Sequence, residues 1–217
     1  MSDWLIDLSV GNPQARFLFA HGAGAPMDSE FMAFLAAAVA ASGIEVVRFE
    51  FPYMAERRET GKRRPPNPMP QLQEAFAAQI EHWLNEGDGL PLFIGGKSMG
   101  GRVASLLADA RFAAGGIGGL VCLGYPFHPR GKPERLRTEH LAELQCPALI
   151  VQGTRDPLGD AEEVPGYSLS DSIGLQWLED GDHDFKPRRA SGFKREDHWA
   201  RAAELVAGFI QWRLRES

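Results

Sequence analysis

The 217-residue sequence has only two cysteines, Cys122 and Cys146. Two cysteines cannot build a disulfide-stapled scaffold, and neither lies in a metal-binding or catalytic-thiol pattern. Both stand beside apolar, strand-like runs, so free buried thiols in a reducing cytoplasm are expected. Long apolar runs are also missing. None approaches the roughly 20 residues that span a bilayer, and Met1-Ser2-Asp3-Trp4 lacks the basic and apolar regions of a secretory signal. The expectation is a cytoplasmic protein with no membrane span. Positive charge is in deficit: 23 Lys and Arg against 29 Asp and Glu leave a net charge of −6. That balance argues against a nucleic-acid partner. Internal repeats and low-complexity tracts are absent. A single globular domain over residues 1–217 remains, long enough to bury a substantial core. The sequence leaves its oligomeric state open.

What is present is alternation. Short β-branched or aromatic runs read as strands at 16–20, 44–51, 91–95, 117–123, 148–152 and 173–178. A further edge strand over Asp3–Val10 would pair antiparallel. Between the strands lie helical patterns. Asp28-Ser29 can cap a helix carrying Phe31, Leu35, Ala38 and Val39, with Gly43 placed to end it. Leu72, Phe76, Ile80, Trp83 and Leu84 mark a second. Val103, Leu106, Leu107 and Ala110 mark a third, and Trp199, Ala203, Val206, Phe209 and Ile210 the last. Strands alternating with helices predict an α/β fold with a mostly parallel sheet and helices on both faces. Residues 53–70 break the pattern with Arg57, Arg58, Lys62, Arg63, Arg64 and four prolines, and read as an excursion loop. Between Leu123 and Pro147 there is room for one helix, about 134–143, but not for a large cap domain.

One segment carries chemistry. Gly96-Lys97-Ser98-Met99-Gly100 matches G-x-S-x-G between a strand and a helix, the context this motif requires. On such a turn the Ser98 hydroxyl projects above the sheet, and the following helix aims N–H groups at a developing oxyanion. Gly96-Lys97-Ser98 also resembles the end of a phosphate-binding P-loop. That loop needs glycine at position 91, where Pro91 stands.

A serine hydroxyl needs a base. Asp156, just past a strand in Gln152-Gly153-Thr154-Arg155-Asp156-Pro157, and His183, in Gly181-Asp182-His183-Asp184-Phe185, follow in the order acid, then base. His183 is the expected general base and Asp156 its orienting acid. Asp182 and Asp184 are alternative acids, badly placed as chain neighbours of His183. Asp156-Pro157 could instead be a plain turn. The acidic run 180–184 does not fit a calcium loop, because Phe185 and Ser191 occupy the positions that require glycine and glutamate. The other histidines lack the loop context of a base. The backbone N–H groups of Met99 and of Ala23, in His21-Gly22-Ala23-Gly24, are the expected oxyanion donors. No metal or organic cofactor is required.

Together these residues resemble a known group, the small α/β-hydrolases of the dienelactone-hydrolase-like branch. It includes the testis-expressed and nonspecific-lethal-complex hydrolase-like proteins. The resemblance runs from about Phe17 to Phe193, through the segments quoted above, Gly101-Arg102, Gly124-Tyr125-Pro126-Phe127-His128-Pro129 and Lys186-Pro187. It implies the α/β-hydrolase fold and a Ser-Asp-His triad, and no firm substrate. The expected activity is hydrolysis of a small-molecule acyl ester or thioester through an acyl-enzyme. Amide, peptide or dienelactone-type substrates, and a non-catalytic binding or scaffold role, are the alternatives. By loop position, Met27, Met54, Phe127 and Phe185 would contact the acyl group. The basic loop 57–64 would either steer an anionic substrate or be plainly solvated.

Overall fold

A computed structural model describes residues 4–216. Seven strands form one sheet: β1 (Leu5–Asp7), β2 (Ala15–Ala20), β3 (Ile44–Phe49), β4 (Leu92–Lys97), β5 (Gly119–Leu123), β6 (Ala148–Gly153) and β7 (Ile173–Leu178). Their order is β1-β3-β2-β4-β5-β6-β7. All neighbours run parallel except β1, which pairs antiparallel with β3, Leu5 opposite Arg48. The expected edge strand is therefore present but shorter, and Asp3 lies outside the described residues.

The strand residues alternate between two cores, as a period of two demands. Phe17, Phe19, Val46, Phe93, Val121 and Val151 point to one face, where α1 (Glu30–Ala40) and α5 (Arg195–Glu216) cover them. Leu18, Val47, Ile94, Leu120 and Ile150 point to the other, under α3 (Met69–Asn85) and α4 (Met99–Ala113). Being buried on both faces, β2 and β4–β6 read as continuous apolar runs.

Two expectations needed correction. The 53–70 excursion is not all loop, because Pro52–Thr60 forms helix α2. Pro52 starts it with a preset φ, and Gly61 ends it in the left-handed region at φ 71°. Tyr53 and Met54 are buried while the arginines face outward, so its charge masked a helix docked by only two residues. Conversely, 134–143 holds only a 3₁₀ turn, Glu139–Leu141. The chain there is pulled away from helical geometry: the Arg137 N–H donates to the Phe127 carbonyl, and Asp109 accepts the N–H groups of Gln145 and Cys146. Cys122 and Cys146 are free and buried, and burial pushes the Cys146 thiol up to about 12.

Candidate active site

The loops that follow β2, β4, β6 and β7 leave the sheet at its C-terminal edge, where parallel α/β sheets place their ligands. Ser98 connects β4 to α4 at φ 51° and ψ −113°, a left-handed conformation that costs about 1–3 kcal/mol for a non-glycine residue. Its flanking glycines are sterically required. A Cβ on Gly96 would meet the Ala20 carbonyl oxygen at 2.6 Å, and one on Gly100 would meet the Ala20 and His21 carbonyl oxygens at 2.6 and 2.7 Å.

The sheet brings three distant residues together. Ser98 Oγ lies 2.8 Å from His183 Nε2, and His183 Nδ1 lies 2.7 Å from Asp156 Oδ2. A carboxylate only accepts, so Nδ1 carries the ring proton and Nε2 accepts from the serine hydroxyl. Asp156 is fully buried yet satisfied: Oδ2 also takes a hydrogen bond from Gln152 Nε2 at 2.9 Å, and Oδ1 takes one from the Leu158 N–H at 2.8 Å. The two alternative acids do other things. Asp182 Oδ1 accepts the N–H groups of Asp184 and Lys186, building the turn, and the Asp184 side chain is 81% exposed.

The loop carrying His183 is held from several sides. Arg155, the neighbour of Asp156, donates to the Asp180 carbonyl at 3.0 Å and pairs with its carboxylate. Hydrogen bonds from Arg188 hold the Asp180 carboxyl down at about 2. His198 and Trp199 of α5 donate ring N–H groups to the carbonyls of Phe185 and Asp184. Lys97 donates from Nζ to the His183 carbonyl at 2.7 Å, and burial pushes its ammonium below the usual lysine range against the pull of Asp184 and Asp156.

The glycine-rich loop after β2 is fixed as closely. His21 is buried: Nδ1 donates to the Gly22 carbonyl at 2.7 Å and Nε2 accepts the Phe51 N–H at 3.0 Å. The Tyr53 hydroxyl donates to the Ala23 carbonyl at 2.9 Å. Among the described residues, neither the Ala23 nor the Met99 N–H meets a protein acceptor.

Ala23 and Ser98 line two cavities of about 430 Å³ each. One is walled by Phe31, Met32, Lys97 and His183. The other extends over Met69, Leu72, Met99 and Arg102. Met27, Phe127 and Phe185 line neither, because these large apolar loop residues are drawn into the cores, at 3% exposure or less. Met54 borders a separate hollow with Glu50, Arg57 and Arg58. Phe31 and Met32 take the expected place, and their position at the start of α1, directly after the glycine-rich loop, was the available signal. Among the described residues, no group of three or more His, Cys, Asp or Glu side chains could hold a metal ion, and no helix is long and apolar enough to cross a membrane.

A seven-stranded sheet of this order, with a strained serine at the β4–α4 turn, defines the α/β-hydrolase class. The sequence pattern of the family described as "Alpha/beta hydrolase domain" matches residues 13–211, and the chain belongs to that family. Among solved structures it is similar to an alpha-beta serine hydrolase homologue from Coxiella burnetii, at 18% identity, covering 94% of this chain and 89% of that one, TM-score 0.72. It is also similar to Est1E from Butyrivibrio proteoclasticus, at 14% identity over 96% of this chain and 94% of that one, TM-score 0.68. A dienelactone hydrolase from Anabaena variabilis matches at 18% identity over 96% and 90%, TM-score 0.69. At these identities the likeness is one of fold.

Proposed function

We propose that the protein is a serine hydrolase that cleaves a small carboxylic ester or thioester through an acyl-enzyme. The observation that carries the reading is the unbroken chain Ser98 Oγ, His183 Nε2, His183 Nδ1, Asp156 Oδ2, with links of 2.8 and 2.7 Å, opening onto two cavities. Ser98 Oγ attacks the acyl carbon while its proton passes to His183 Nε2. The carbonyl oxygen becomes an oxyanion within reach of the Ala23 and Met99 N–H groups, which are free to donate. Collapse breaks the bond to the leaving alcohol or thiol, which takes the proton from His183. Water then attacks the acyl-enzyme by the same route, releasing the acid and restoring Ser98. Asp156 holds the tautomer and stabilises the imidazolium.

The narrower kinship, with the testis-expressed and nonspecific-lethal-complex hydrolase-like proteins, rests on the quoted motifs. The test is labelling of the full chain with a fluorophosphonate, followed by a panel of aryl esters of increasing acyl length. Labelling at Ser98, and turnover lost in Ser98→Ala, are expected. Folded protein that neither labels nor turns over any ester, thioester or amide would leave the scaffold role instead.

A further inference from the structure

We infer that the substrate carries a carboxylate or phosphate group, which Arg102 and Arg137 bind in the cleft beside Ser98. The inference rests on the hydrolase reading and adds a substrate class to it. Arg102, Arg130 and Arg137 all line the second of the two cavities at Ser98.

Arg102 and Arg137 lack the acidic partner that buried Arg16 and Arg48 have. Other arginines held in the structure are paired: Arg16 with Glu45, Arg48 with Asp7, Arg58 with Glu50, and Arg155 and Arg188 with Asp180. Among the described residues, none of the three cleft arginines forms an ion pair. Arg102 Nε is buried without any hydrogen-bond partner. Arg137 is half-buried, and burial, followed by the positive charge of Arg102, pushes its guanidinium below the usual arginine range. Two like charges in a partly desolvated cleft are unfavourable until an anion joins them.

The placement suits a substrate bound at Ser98. Arg102 lies in the first turn of α4, its N–H donates to the Ser98 carbonyl at 3.0 Å, and both residues border the same cavity. The backbone of Arg137 is fixed at both ends: its N–H donates to the Phe127 carbonyl at 2.8 Å, and its carbonyl accepts from the Tyr125 hydroxyl at 2.9 Å. A planar guanidinium fork matches the two oxygens of a carboxylate or phosphate. The basic segment 57–64 is the weaker candidate for this role, because Arg58 is held by Glu50 and Asp28 and Arg64 by Glu56.

The experiment compares matched esters on the full chain. One pair is an aryl hemisuccinate against the aryl pentanoate, with the charge on the acyl side. The other is an acetyl ester of a phosphorylated alcohol against that of the neutral alcohol, with the charge on the leaving side. At least one charged member should be preferred by about tenfold or more in kcat/KM. Arg102→Gln and Arg137→Gln should each erase about tenfold of that preference, mainly through KM. Arg63→Glu with Arg64→Glu should leave the preference in place. Thermal melting and fluorophosphonate labelling report folding, and Arg137→Gln serves if Arg102→Gln does not fold. Equal rates on charged and neutral members, or losses equal on both, overturn the inference while ester turnover keeps the hydrolase reading. If no ester is turned over, that reading fails. Calorimetric titration with succinate and inorganic phosphate then decides: binding lost in Arg137→Gln keeps the anion site, and no binding to the parent chain removes it.

Discussion

Lys97 Nζ and the His183 carbonyl meet at 2.7 Å, so the residue before the nucleophile grips the backbone of the residue that would activate it. The ammonium sits among the rings of Phe31 and Phe185 with about 7% of the residue exposed. Lys97→Met fills much of the same volume and removes the donor, leaving the part-buried His183 carbonyl without it, at a cost of about 1 kcal/mol. On the proposed mechanism kcat falls about tenfold or more while KM changes little. Arginine at the same position should recover part of the loss. Unchanged kcat in folded Lys97→Met, measured with melting curves alongside, would show that this bond does not position the base.

Asp156→Asn separates charge from packing. The amide can donate to His183 Nδ1 through its NH₂ group, which favours the tautomer with the proton on Nε2, where it cannot receive one from Ser98. A drop in kcat of about 10⁴-fold is the expected outcome, in line with the same change in other Ser-His-Asp enzymes. Gln152 still has Tyr125 and Gly159 carbonyls to bond, so the melting temperature should fall by only a few degrees. A drop of less than tenfold would sink the assigned role of Asp156.

Ser98, Asp156 and His183 were legible in the sequence because each stands in a short local pattern at the end of an apolar run, and parallel strands carry those ends to one edge. The residues that hold them were not. Tyr53 acts on Ala23 across 30 residues, from a helix hidden under arginines and prolines. Gln152 lies in β6 as its apolar run predicts, but that run gives no sign that its side chain bonds Asp156 and both backbone polar groups of Tyr125. Phe127 and Phe185 looked like pocket walls, but a phenylalanine beside a glycine-rich turn lowers its free energy more by entering the core than by facing a wet cavity. Such partnerships depend on tertiary approach, which periodicity does not encode.

Acid should destabilise the fold through His21. Burial lowers its pKa, while an unfolded histidine takes its proton near 6.5. The stability linked to His21 is therefore complete above about pH 6.5 and lost as the pH falls toward its depressed folded value. Protonation would also end the bond in which Nε2 accepts the Phe51 N–H. Half-buried His140 shifts the same way. His128 shifts upward: burial opposes the rise, but Glu163 and the Pro129 carbonyl outweigh it, so its contribution is present at low pH and fades as the pH rises. Melting curves of the parent and His21→Gln from pH 7.5 to 5 isolate the one residue, since the other two are common to both. The parent's advantage should shrink as the pH falls, and parallel curves would contradict the assignment.

Tyr53→Phe tests the glycine-rich loop without touching a reacting group. The hydroxyl donates to the Ala23 carbonyl at 2.9 Å and approaches the Gly22 carbonyl at 3.3 Å, and burial pushes it well above the usual tyrosine range, so it stays protonated and donating at any working pH. The Ala23 N–H shares its peptide plane with the Gly22 carbonyl, which His21 Nδ1 and the Tyr53 hydroxyl both approach, so holding that carbonyl gives the Ala23 N–H one orientation. Deleting a direct oxyanion donor costs about 10²–10³ in rate. On the proposed mechanism, loosening the loop that would present one should cost less, about tenfold in kcat, with KM within about twofold. The rate of fluorophosphonate labelling should fall in parallel, because the phosphonyl oxygen uses the same donors. The mutation also removes about 1 kcal/mol of hydrogen bonding, a small shift in melting temperature that separates it from unfolding. Labelling and turnover both at the parent rate would mean that Ala23 does not contribute its N–H, and that Met99 works with a different donor.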